Sequence, residues 1–359
     1  MVGIARTLAI GVLLTAAGVR AQSTDVYLQL LHLYRDQPAL AAQTVAKLSP
    51  QVIDHGIQQC RSGRCSLQQI RAGAMLHADA AELVIGPLGY AARDQIRSGR
   101  ELLQIAANLT ATHDDLKALA SFSGRWYALT ARLLLAHGHF EAARLLAAEG
   151  RIRYAESPDL FVVLGLLSEW RAGLGLDAGD LRGYAVRGEL FERGLATSGP
   201  YRGNAGQEVE AAAREYRRAI AIDPAHAGAR LRLAWAHLLT NDRRVWEDVS
   251  QEFIKAASDE AQFLAHLLRG TAAERERNAV SALAEYQAAR LLIPDSQTAC
   301  VALSSAQALN GQLIEARGTA AECLEPGSSA HAVDSWTLFR LGLLDATTTE
   351  GLREEARRP

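Results

Sequence analysis

The sequence predicts an all-α solenoid of antiparallel helix pairs, on three observations. A thirteen-residue stretch occurs twice, once from Ala212 to Pro224 and again from Ala282 to Pro294, with Ala, Glu-Tyr, Ala and Pro recurring at the same offsets. Tyr216 and Tyr286 lie 70 residues apart, two units of 35, a period in the range of helical-pair arrays. Val, Ile and Thr nowhere alternate with polar residues over the length of a strand, so essentially no sheet is expected. The length, 359 residues, exceeds that of an ordinary single domain and suits an array in which each unit buries its apolar face on the next.

Each copy of the stretch reads as the second helix of a pair. Ala212 and Ala219, like Ala282 and Ala289, let a partner helix approach closely, and the tyrosine between them shares their face. Pro224 and Pro294 cannot extend a helix and bias the preceding residue away from helical geometry. These offsets resemble the tetratricopeptide repeat (TPR), in which Ala, an aromatic residue four later, a second Ala and a Pro recur. The resemblance implies a right-handed TPR-like α-solenoid. It also implies a first helix carrying a large residue, then Leu and a small residue. Phe161, Leu164 and Gly165 fit that order, as do Leu233 with Ala234; Gly270 and Ala131 take the small position. Val249, Phe253 and Ala256 resemble a degenerate second helix, and Gly311, Ala316, Ala320 and Cys323 resemble another. The match is closest over 205–326 and looser over 120–170.

Residues 1–21 read as a secretory signal peptide: Arg6 supplies charge, Leu8 to Val19 is a small-apolar run, and cleavage is expected after Ala21. The alternative is an uncleaved anchor, but the run is shorter than the roughly 20 residues that span a bilayer. A periplasmic or secreted protein without a stable membrane span follows. Residues 22–117 form an N-terminal helical region, in which "SLQQIRAGAMLHADAAELVI" is long and amphipathic and ends at Gly86-Pro87. Residues 118–206 hold degenerate TPR-like helices: a pair broken at Gly138, a further helix opened by Ser157-Pro158-Asp159, a helix around Leu181–Leu195 and a glycine-rich loop over 198–206. The loop reads as an insertion between repeats, with Tyr201 and Arg202 as an alternative contact site. Residues 207–345 are the TPR-like repeats, closed by a capping helix in "WTLFRLGLL". Residues 346–359 are a charged tail expected to fray.

Four cysteines behind a leader make disulfides reasonable. Cys60 and Cys65 flank "RSGR" and are positioned to bridge two helix ends. Cys300 and Cys323 lie equally far from a turn centred between Gly311 and Gln312, so antiparallel helices would set them opposite one another. Two buried free thiols are the alternative.

Without the leader, 36 basic residues stand against 40 acidic ones, an ordinary balance that argues against nucleic acid as a partner. A phosphate loop ending in Gly-Lys-Ser/Thr, the His-Glu-x-x-His of zinc proteases and the Gly-x-Ser-x-Gly elbow do not occur, and neither cofactor nor metal is expected. His137 and His139 read as turn residues around Gly138. The TPR resemblance implies a partner groove lined by first-helix residues beside the packing positions: Arg232, Trp235, Thr271, Arg275 and Ser305. Lys and Asn, with which some members clamp a peptide carboxylate, are lacking there. The expected function is a non-enzymatic scaffold or adaptor for a protein or peptide partner outside the cytoplasm. The alternative is an extracytoplasmic enzyme or enzyme subunit, for example one acting on cell-wall material, with an unrecognised site; that would require a cleft carboxylate of raised pKa.

Overall fold

A computed structural model describes residues 23–86, 89–110, 112–174, 205–324 and 343–358. Among them the regular structure is all-α, without a strand. The leader, the helix expected around 181–195, Tyr201 and Arg202, and most of "WTLFRLGLL" lie outside the described residues. The chain divides into two units, one running to Leu119 and taking up Leu352 onward, the other running from Ala120 to Gly351.

In the first unit, α1 (Ser23–Asp36), α2 (Pro38–Val45), α3 (Pro50–Gln59), α4 (Leu67–Val84) and α5 (Tyr90–Leu109) follow in order. Tyr27, Leu30, Leu31 and Tyr34 recur at helical spacing and form the buried stripe of α1. Ser66 starts α4 with a capping box, accepting from the Gln69 amide while Gln69 accepts from the Ser66 amide. Cys60 and Cys65 are disulfide-bonded, with Cα atoms 4.6 Å apart across a tight turn in which Gly63 takes φ +85°. At the heart of the unit His77 is buried between two partners: Tyr27 donates its hydroxyl to Nε2 at 2.9 Å, and Nδ1 donates to Gln95 at 2.6 Å.

The charged tail is not frayed. Helix α17 (Leu343–Arg357) runs through it, and Leu352 and Ala356, one turn apart, are fully buried in the first unit. Arg353 forks onto Asp79, with Nη2 at 2.7 Å and Nε at 3.0 Å from Oδ1. Asp79 also accepts the Tyr34 hydroxyl at 2.7 Å. Leu352, Arg353 and Ala356 form a stripe whose partners lie elsewhere in the chain, which a local reading of "REEARR" cannot see.

The second unit is built of pairs. Helices α6 (His113–Ala136) and α7 (Phe140–Arg153) turn at Gly138, whose φ is +78°. Helix α8 (Pro158–Glu169) pairs with α9 (Ala205–Ile222). Helix α10 (Ala227–Leu239) is followed by two short helices, α11 (Val245–Asp248) and α12 (Gln251–Ala256). Helices α13 (Asp259–Arg275) and α14 (Ala279–Leu292) form the next pair, and α15 (Gln297–Leu309) and α16 (Leu313–Leu324) the last described one. Pro224 and Pro294 fall just beyond α9 and α14, and Ala212, Tyr216, Ala219, Ala282, Tyr286 and Ala289 are all buried. Disulfide-bonded Cys300 and Cys323 fasten α15 to α16, with Cα atoms 6.0 Å apart.

The same contact closes two of the pairs. A Cβ on Gly165 would lie 2.2 Å from the Tyr216 ring, and one on Gly270 would lie 2.3 Å from the Tyr286 ring. Gly270 and Tyr286 are 16 residues apart, Gly165 and Tyr216 are 51 apart, so one pair carries 35 extra residues. The glycine-rich segment therefore interrupts a pair between its two helices, where the sequence reading set it between repeats. The degenerate second helix also differs from expectation. Ser250 caps the Phe253 amide and starts a new helix, so the segment breaks at Val249, and Ile254 rather than Phe253 or Ala256 is buried.

Candidate ligand basin

Within the second unit a basin of about 650 Å³ opens between α6, α8, α10 and α12. Helix geometry supplies its walls. Arg132 comes from α6, Asp159 and Val162 from the first two turns of α8, and Arg230 and Arg232 from the first two turns of α10. Phe253 reaches it from α12, and Ser258 from the N-cap of α13. The walls thus mix three guanidiniums, two carboxylates (Asp159 and Glu252), an imidazole and apolar surface.

His226 organises one rim. Its Nδ1 accepts the Ala229 amide at 3.1 Å, capping α10, which leaves the proton on Nε2, 3.4 Å from Asp159 Oδ1. Burial works to raise the Asp159 carboxyl, but the hydrogen bond from His226 and the charges of Arg132 and Arg125 outweigh it and hold it below the usual range. Arg230 donates to the Pro224 carbonyl at 2.7 Å and lies over the Phe253 ring, 6.0 Å from its centre. Deeper in, Arg232 pairs with Glu169 at 3.4 Å, and Glu169 also accepts the Tyr216 hydroxyl. Burial and the like charge of Arg232 push the Arg132 guanidinium down to about 9, with Asp159 acting in the opposite sense.

The five groove positions inferred from the sequence separate here. Arg232 lines the basin but is only 4% exposed, held by Glu169. Trp235 is 8% exposed and lies on α10, of which every residue from Leu231 to Leu239 is buried. Thr271 donates to the Leu267 carbonyl and meets the Tyr286 hydroxyl at 3.3 Å. Arg275 donates to the Leu238 carbonyl, and with Trp246 lines a second, smaller cavity of about 130 Å³. Ser305 is exposed on α15. Only Arg232 reaches the larger basin, so the five do not converge. The residues that do converge were missed. Arg132 was within reach, because it follows Ala131 as Trp235 follows Ala234 and Thr271 follows Gly270. Asp159 read only as a helix-start residue, and nothing in the sequence singled out His226.

Outside the basin, half-buried Glu285 accepts from His266 Nδ1 and Arg269 Nε, each at 2.7 Å. Buried His237 donates Nδ1 to Asp248 and meets Arg217 at 3.0 Å on Nε2, which fixes its tautomer and occupies both nitrogens. Among the described residues no cluster of His, Cys, Asp and Glu is placed to hold a metal ion. No helix among them is long and apolar enough to cross a membrane.

No known family model matches this chain, and no curated protein matches it. Two solved structures share the helical architecture. One is a human IFIT1 dimer with m7Gppp-AAAA, 13% identical at a TM-score of 0.37, covering 83% of this chain and 66% of that one. The other is a human IFIT1 dimer with PPP-AAAA, also 13% identical at a TM-score of 0.37, covering 81% of this chain and 68% of that one. A likeness at this identity concerns the fold alone. Both neighbours are recorded with oligonucleotides, which runs against the expectation of no nucleic-acid partner, and at this TM-score the likeness carries nothing further. Net charge averages over the whole surface, whereas the potential a ligand meets is set locally.

Proposed function

We propose that this chain is a non-enzymatic, TPR-like scaffold that holds a protein partner outside the cytoplasm, with the basin between α6, α8, α10 and α12 as its contact site. The observation that carries the reading is the basin wall, where apolar surface (Val162, Pro224, Phe253) alternates with charged side chains supplied by helices from successive pairs. Such a mixture suits a segment of polypeptide better than a single reacting atom. The carboxylates around it are held for binding: Asp159 is kept ionised, and Glu169 is engaged by Tyr216 and Arg232. Glu274 is the carboxyl an enzyme reading would turn to, pushed up by burial, but it lines neither cavity. Placement outside the cytoplasm is supported by the leader-like first 21 residues and by two disulfides that leave no free cysteine.

Photo-crosslinking tests the site. A benzophenone side chain at Ala256, on the exposed rim, is expected to capture a discrete partner in the native envelope, and the same group at exposed Val280 is expected not to. Identical adducts from both positions would refute the assignment. Amino-terminal sequencing of the mature protein tests the location, with Gln22 the expected first residue.

A further inference from the structure

The first unit is completed by a segment that arrives from far along the chain. Residues up to Leu119 and from Leu352 onward share it, while those between belong to the other unit. The last two turns of α17 meet it through three kinds of contact. Leu352 and Ala356, one turn apart, are fully buried. Arg353, between them in sequence, enters an acidic cleft on α4: it forks onto Asp79 and lies 3.7 Å from Glu82, while Tyr34 of α1 donates to Asp79 at 2.7 Å. Gln68, in the first turn of α4, donates to the Arg357 carbonyl at 3.3 Å, one of the carbonyls that a helix leaves without an internal partner at its C-terminal end. The apolar pair selects the face of the helix, the arginine sets its register, and the carbonyl contact reads which end is presented.

Nothing in this helix-in-groove contact requires helix and cleft to belong to one molecule. The residues before Leu352 are part of the other unit, so no local turn ties the helix to the cleft. Residues 325–342, ahead of α17, span up to about 60 Å by covalent geometry. The attachment is also thin: Leu352 and Ala356 are the buried ones among the described side chains of α17, and Arg353 is 27% exposed. A second copy carries the same Leu-Arg-x-x-Ala segment and the same acidic cleft, so each contact broken within one copy is remade between two. We propose that the cleft of Asp79 and Glu82 is a docking site for α17 of a second copy, and that two copies associate by exchanging these helices reciprocally. Charge makes the site selective, because a helix with a carboxylate in the place of Arg353 meets two acids there.

A charge exchange in the full chain tests this by analytical ultracentrifugation. The wild type is expected to dimerise as its concentration rises. Asp79→Arg spoils the cleft and Arg353→Asp spoils the helix, so each variant alone is expected to be monomeric. Mixed, Arg353 of the first variant meets Asp79 of the second and the reversed pair forms opposite, so a 1:1 dimer is expected. Both substitutions in one chain are expected to restore docking, read as protection of the chain beyond Leu352 from protease. Arg353→Asp keeps the native cleft and so guards against a folding defect in Asp79→Arg. A labelled peptide of residues 343–359 is expected to bind Arg353→Asp at least about tenfold more tightly than the wild type, whose cleft is filled, and to lose about tenfold when the peptide itself carries Arg353→Ala. A wild type monomeric at every concentration, a mixture of folded variants that stays monomeric, or single variants that dimerise as the wild type does, overturns the proposal. So does a peptide that binds wild type and Arg353→Asp alike.

Discussion

Gly270→Ala tests the packing device that closes the helix pairs. The added methyl would lie 2.3 Å from Cε1, 2.6 Å from Cδ1 and 2.8 Å from Cζ of Tyr286, against a favourable carbon–carbon separation of about 3.5–4.0 Å. Tyr286 is 2% exposed and has no open side to swing toward, so α13 and α14 must part. Over-packing of this kind costs about 1–3 kcal/mol, and three ring atoms at these distances place it near the upper end. Alanine regains about 1 kcal/mol of helix propensity over glycine. The net expectation is destabilisation by about 2 kcal/mol, read by urea denaturation and by faster amide exchange in α13 and α14. Gly318→Ala is the control: that glycine is exposed in α16 with nothing within 4 Å, so the same change is expected to stabilise by about 0.5–1 kcal/mol. Combining Gly270→Ala with Tyr286→Leu is expected to cost less than the sum of the two singles, because the leucine gives way where the ring does not. A Gly270→Ala protein as stable as the parent would refute the reasoning.

Three further outcomes follow from other contacts. Burial holds His77 down to about 4 from 6.5, against the opposing hydrogen bond to Gln95, so its neutral form stabilises the first unit fully above pH 6.5 and progressively less as pH falls toward 4. That depression corresponds to about 3 kcal/mol, and His77→Gln is expected to flatten the pH dependence of α4 and α5 amide exchange between pH 6.5 and 4. Replacing Cys300 and Cys323 together by serine removes a cross-link spanning 23 residues, with an expected loss of about 3 kcal/mol confined to α15 and α16 and an unchanged melting response in the first unit. Arg353→Ala leaves Asp79 with only the Tyr34 hydroxyl among these partners, and is expected to cost the first unit about 2 kcal/mol, measurable as raised protease sensitivity of the chain from Leu352 onward.

The pattern that was legible was periodic and local. Ala212, Tyr216 and Ala219 repeat as Ala282, Tyr286 and Ala289 because each set buries the same face, and a recurring environment leaves a recurring residue type. The turn at Gly311, with φ +81°, was legible for the same reason, since few residues other than glycine adopt that geometry. The Gly165–Tyr216 contact was not, because 51 residues separate partners that elsewhere lie 16 apart. What lies behind a groove residue was not legible either: a helical wheel gives the angle of Arg232 but not the Glu169 carboxylate it pairs with.

The sequence by itself determined that this chain is helical, that its second half is paired at a period near 35, and that helices stop before Pro224 and Pro294 and turn at Gly138 and Gly311. Proline, glycine, capping residues and small-residue stripes act within one or two turns, so their effects are written locally. Only the tertiary structure decided that the last residues dock into the first unit, that one pair is held together across a long insertion, and that Arg132, Asp159, His226, Arg230 and Phe253 share one basin. Those outcomes depend on which distant surfaces meet. Charge and burial at such a meeting are properties of the assembled helices, which no single stretch of the chain carries.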